Sequence, residues 1–158
     1  MGEAFNKMMY DSVSGLESEI FLRDMIIQQR IAERNPLSLA AVQFDKKFYS
    51  ERIKDIKDAF EEDLNHEKEI IDFSASNSDI CVVFIGLYNS KGSYEEAVKN
   101  TDELVRLTKT YIKHILGVEV KINNYTHNPD EITEQQRQNP DWRKQKTDMI
   151  IDYLSKFD

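Results

Sequence analysis

Apolar positions in the first third of the chain recur at helical intervals. Leu16, Ile20, Met25, Ile27 and Ile31 share one face of a helix predicted over 15–34. Ser14 and Glu17 stand at its start with capping-box spacing, hydroxyl and carboxylate placed to satisfy two unpaired backbone N–H groups. Before it, Phe5, Met8, Met9 and Tyr10 form either a short helix or a docking arm. Each of the three prolines follows an asparagine, in Asn35-Pro36, Asn128-Pro129 and Asn139-Pro140. Asn caps helices well, and Pro suits the first helical position, where its missing N–H costs nothing, so each pair predicts a helix start. The first pair launches a segment from Leu37 that continues, with a break near Ser50, through the stripe Ile53, Ile56, Phe60 and Leu64. Lys54, Lys57, Asp58, Glu61 and Glu62 occupy the opposite face, with Lys54/Asp58 and Lys57/Glu61 paired at i, i+4.

The period then changes. Residues 69–76 alternate loosely as a first strand, and Asn77-Ser78-Asp79 signals a turn. The run Ile80 to Tyr88 is the most apolar of the chain, and its β-branched and aromatic content predicts a buried central strand. Ser93 and Glu96 form a second capping box before a helix with Tyr94, Ala97, Val98, Thr101, Leu104, Val105, Thr108, Tyr111, Ile112, Ile115 and Leu116 on its apolar face. Gly117 stands where a left-handed C-terminal cap belongs. Val118, Val120 and Ile122 alternate with Glu119, Lys121 and Asn123 as a half-buried strand. Short helices are expected after Asn128 and after Asn139, the last carried by Trp142, Met149, Ile150, Tyr153, Leu154 and Phe157, with residues 147–154 as a closing strand the alternative.

These elements predict an α+β fold in a single domain, 1–158. A helical part, 1–68, precedes a strand-strand-helix-strand unit, 69–126, and a C-terminal helical segment, 127–158. Five Gly and three Pro among 158 residues make turns few and elements long, which excludes a turn-rich sandwich or a glycine-rich nucleotide fold. The single cysteine, Cys81, has no disulfide partner within the chain, and no apolar run reaches the length of a membrane span. Together with the absence of a signal-peptide pattern at Met1, this predicts a cytoplasmic protein, in a host cytoplasm or a virion if viral.

The formal charge of −8 is concentrated, residues 50–72 holding nine acids and four bases. That surface repels nucleic acid, and Glu61, Glu62 and Asp63 mark the acidic face on which a basic protein partner would dock. The one basic-aromatic cluster, Arg143, Lys144 and Lys146 beside Trp142, is small against the total charge.

Motifs for chemistry are sparse. The loop Gly86-Leu87-Tyr88-Asn89-Ser90-Lys91-Gly92-Ser93 joins an apolar strand to a capped helix, the setting of a phosphate-binding loop. Its Lys91 and Gly92 stand in exchanged order, so lysine and glycine would both be aimed wrongly. The loop therefore predicts a strand-to-helix turn capped by Ser93, with Ser90, Lys91, Gly92 and Ser93 as an anion-binding alternative. Asp63 and His66 lie one helical turn apart, yet neither His114 nor His127 has a carboxylate three residues before it, and no metal site or cofactor is expected. No nucleophile elbow occurs, Cys81 lacks an adjacent base, and no catalytic residue is assigned.

The succession of Asp79 to Tyr88, the helix Ser93 to Leu116 and the strand Val118 to Tyr125 resembles the strand pair, helix and strand of bacteriophage tail-terminator and neck proteins. The resemblance covers about 50 residues and carries no catalytic residues. It implies a non-enzymatic assembly or connector subunit that self-associates or binds a protein partner. The alternatives are a small acidic inhibitor or immunity-type protein acting through Glu61, Glu62 and Asp63, and an enzyme without a recognisable motif.

Overall fold

The computed structural model describes residues 17–18, 27–59, 70–75, 82–88 and 93–157. Their strands are β1 (Glu17–Ser18), β2 (Leu37–Gln43), β3 (Ile70–Ala75), β4 (Val82–Tyr88) and β5 (Lys121–His127). The helices are α1 (Gln28–Ala32), α2 (Lys46–Glu51), α3 (Ile53–Asp58), α4 (Tyr94–Tyr111), α5 (Glu134–Arg137) and α6 (Trp142–Leu154). No helix among the described residues is long and apolar enough to cross a membrane.

The five strands form one sheet in the order β1-β3-β4-β2-β5, with β1 parallel to β3 and every other pair antiparallel. From β2 onward the chain runs strand, helix, strand, strand, helix, strand. β4 lies between β2 and β3, and β2 lies between β4 and β5, so two split βαβ units interlock. The α+β class is therefore correct, and its sheet begins earlier than the hydrophobic pattern indicated. The helix expected from Leu37 is instead the interior strand β2, paired on both sides, with Val42 opposite Val83 on one neighbour and Ile122 on the other.

Burial on both faces explains the difference. Leu37, Leu39 and Ala41 join Val82 and Phe84 beneath Ile27, Ile31, Ile150, Ile151 and Leu154 of α1 and α6. Ala40 and Val42 join Val83 and Ile85 beneath Tyr49, Ile56, Leu104, Ile112 and Leu116 on the other face. A strand covered on both sides has no polar alternation to announce it. The helix predicted over 15–34 is likewise corrected: Glu17 and Ser18 are a strand, and within that span α1 covers Gln28–Ala32.

The later expectations hold with shifted bounds. Ser93 caps α4 by accepting a hydrogen bond from the Glu96 N–H at 3.2 Å. The helix continues as a π-turn, Ile112–Leu116, and ends at Gly117 with φ 72°. Asn128 caps a single 3-10 turn at Pro129–Glu131, and residues 147–154 are helical rather than a closing strand. The final strand starts at Lys121, three residues later than the alternation of Val118 suggested. A polar ladder ties α4 to the sheet. The Ser38 and Thr101 hydroxyls both donate to the Ala97 carbonyl at 2.9 Å, and Thr126 donates to Thr101 at 2.7 Å.

Candidate functional site

The carboxyl end of β2 opens into a cleft of about 610 Å³ lined by Gln43, Phe44, Asp45, Lys46, Glu119, Val120 and Lys121. Sheet register creates it. Gln43 pairs with Lys121 across the β2–β5 ladder, so the residues leaving β2 face those entering β5. Asp45 turns the chain from strand to helix by capping α2, its carboxylate accepting from the Phe48 N–H at 3.3 Å. Phe44 is buried and stacks on Phe48, with ring centroids 6.1 Å apart, which fixes the floor of the cleft.

On the far side, the left-handed Gly117 stops the helix and reverses the chain, bringing Glu119 back to within 3.5 Å of the Lys113 ammonium. Two adjoining grooves extend the cleft along the outer edge of β5, and Lys109, Lys113, Lys121 and Lys156 line them. Lys113 is paired with Glu119, and Lys156 with Asp152 at 3.1 Å. A lysine-lined rim thus stands on a chain whose total charge is −8. The sequence signal was the row of Lys109 on α4 and Lys113 on the π-turn that continues it, one turn apart, followed closely by Lys121 on β5.

The expected sites are placed as follows. Ser93 serves as a helix cap, while Ser90, Lys91 and Gly92 of the candidate anion loop lie outside the described residues. So do Glu61, Glu62 and Asp63 of the acidic face, as well as His66 and Cys81. Among the described residues no group of three or more His, Cys, Asp and Glu side chains gathers at metal-holding distance.

His127, set aside as a metal ligand from the sequence, is fully buried at the far end of β5, and neither ring nitrogen has a hydrogen-bond partner among the described residues. Burial, reinforced by the charges of Lys146 and Arg137, lowers its pKa from 6.5 to about 4. On the surface nearby, Arg34 holds Glu134 through contacts of 2.9 and 3.4 Å, and this hydrogen-bonded guanidinium lowers the pKa of the exposed carboxyl group.

No protein-family model matches the chain, and no curated protein matches it. Among solved structures, the GGDEF domain of FimX from Pseudomonas aeruginosa is similar at 16% identity, over 90% of this chain and 93% of that one, with a TM-score of 0.46. The expectation of a non-enzymatic connector or assembly subunit is corrected by this finding, since the similar structure is a GGDEF domain and not a connector.

Proposed function

We propose that the domain binds a phosphorylated small molecule of the nucleotide class in the cleft at the carboxyl end of β2. The observation that carries this reading is the donor set of the cleft: two ammonium groups, Lys46 and Lys121, beside two carboxylates, Asp45 and Glu119, and the apolar side chains of Phe44 and Val120. Its volume of about 610 Å³ lies within the range of small-molecule sites. Lysine meets phosphate charge as a mobile point cation, the carboxylates accept from sugar hydroxyls or base N–H groups, and the apolar wall takes a flat ring. Asp45 commits part of its acceptor capacity to the α2 cap. A donor set of this kind takes a divalent cation together with the ligand's own phosphates rather than in a dedicated protein cage. We place the chain in the cytoplasm, a compartment that keeps its single cysteine reduced.

The test is calorimetric titration of the full chain with ATP and GTP, each with and without Mg²⁺, repeated on Lys121→Glu. Saturable binding that weakens about tenfold or more on charge reversal is expected, because an attractive contact becomes a repulsive one at the same place. No heat from either nucleotide, or undiminished binding to the variant, overturns the reading.

A further inference from the structure

In the sheet order β1-β3-β4-β2-β5, the strand β5 has a neighbour on one side and stands at the edge. Alternate residues of such a strand direct N–H and C=O away from the sheet, and these groups pair readily with an extended chain that reaches them. At Asn124 the N–H is taken by the side-chain oxygen of Asn123 at 2.9 Å, which closes the middle of the edge. Before it, a groove of about 380 Å³ runs beside Val120, Lys121, Ile122 and Asn123. A second groove of about 380 Å³ shares Lys109 and Val120 with the first and extends toward Lys113. Among the described residues no strand fills this place.

The two sides of the edge differ in character. Val120 and Ile122 pack with Leu104, Ile112 and Leu116 on the α4 side and give that wall its apolar surface. Asn123 faces the other layer, donating to the carbonyls of Tyr153 and Lys156 at 2.7 and 3.2 Å. Lys121, two residues before it, shares that face by strand alternation, with Lys156 and Phe157 lining the same groove. Lys109 stands where the two grooves meet, and Lys113 borders the second. Lys109 and Lys121 have no ion pair among the described residues. The pairs Lys113–Glu119 and Lys156–Asp152 are exposed, so they hold their lysines weakly. Four ammonium groups thus face two carboxylates, and the edge is positive on a chain of total charge −8.

We propose that the outer edge of β5 is the docking site of an extended acidic segment of a partner protein, added to the sheet as a further strand. Strand addition gains affinity from main-chain hydrogen bonds and specificity from alternate side chains. A segment in which acids alternate with small apolar residues matches both walls, its acids toward Lys121 and Lys156 and its apolar side chains toward Val120 and Ile122. Lysines on an edge ordinarily deter pairing between copies. A second β5 laid along this one would bring two such lysine sets together, so the charge selects an acidic strand over a second copy of the chain. A nucleic acid would gain from the lysines alone, against the repulsion of the remaining surface. The inference does not depend on a nucleotide in the cleft at the end of β2, which neither Lys109 nor Lys156 lines.

The experiment titrates the isotope-labelled full chain, followed by NMR, with an end-blocked synthetic peptide of about nine residues, glutamate and valine alternating, long enough to cover β5. Amide shifts are expected at residues 120–123. Binding should weaken about tenfold or more in Lys109→Glu and in Lys156→Glu, each checked for native circular dichroism, and should weaken as NaCl rises from about 50 to about 500 mM. Using two single variants keeps the test decisive if one of them fails to fold. Two further peptides, N-methylated at the glutamates or at the valines, probe the main chain, and the one whose methyl groups face β5 should lose binding. No binding at about 1 mM peptide, shifts confined to other residues, salt-independent binding, undiminished affinity in a folded variant, or two methylated peptides that bind like the parent would each overturn the proposal. So would self-association of the free chain through the same amides, or shifts there caused by a single-stranded oligonucleotide and not by the peptide. Nucleotide calorimetry on the same variants reads the other cleft separately.

Discussion

Replacing His127 with phenylalanine tests the energetic meaning of the buried imidazole. Its pKa falls from 6.5 to about 4 on folding because burial, with Lys146 and Arg137, disfavours the charged ring. The folded state therefore binds fewer protons than the unfolded chain. Stability from this group is fully present above pH 6.5, declines as pH falls from there towards 4, and levels off below. With these values, linkage gives a loss of about 2 kcal/mol between pH 7.5 and pH 5 and about 3 kcal/mol in the acid limit. Most carboxylates titrate below pH 5, so this interval falls on histidine titration, and the variant below assigns the change to His127. Urea unfolding of the wild type at the two pH values, in chloride buffers, should show the difference as a lower midpoint with unchanged slope. The His127→Phe variant keeps a ring of similar shape and should lose most of the pH dependence. A variant that retains the full difference, or a wild type with none, would refute the argument.

Three other perturbations probe the frame. Gly117→Ala puts a Cβ into open space but at φ 72°, so left-handed strain alone should cost about 1–2 kcal/mol, readable as a lower Tm; unchanged Tm would deny that conformation. Thr101→Val and Thr126→Val each break the hydroxyl pair between α4 and β5, and each should cost about 1–2 kcal/mol. Their double variant should be less damaging than the sum, whereas strict additivity in a double-mutant cycle would exclude the contact. Leu104→Ala empties a fully buried position between α4 and the sheet and should cost about 2–5 kcal/mol by denaturant melt, while a loss below about 1 kcal/mol would place that side chain at the surface.

The helix α4 was legible because every local signal agreed: Ser93 at the cap, buried Ala97, Thr101, Leu104 and Thr108 at helical spacing, and Gly117 beyond the end. The strand β4 was legible from its apolar run. By contrast, Leu37-Ser38-Leu39-Ala40-Ala41-Val42 reads as helix, since two alanines favour one and an Asn-Pro pair precedes it. Its strand state follows from pairing with residues far along the chain, which no local pattern carries. The β2-end cleft was invisible for the same reason: Asp45 and Lys121 become neighbours only through the register of β2 and β5. His127 gave no warning because the end of β5, Asn123 to His127, is polar in sequence yet runs into the core.

The position of β2 between β4 and β5 also sets a schedule for folding. Val42 needs Val83 and Ile122, about 40 and 80 residues further on, before both its neighbours exist. During synthesis the strand leaves the ribosome early and must wait, apolar on both faces, until β5 has emerged near the end of the chain. Truncation before Lys121 would strip one side of that strand and leave a sticky edge, so products cut short there should aggregate rather than fold as smaller domains.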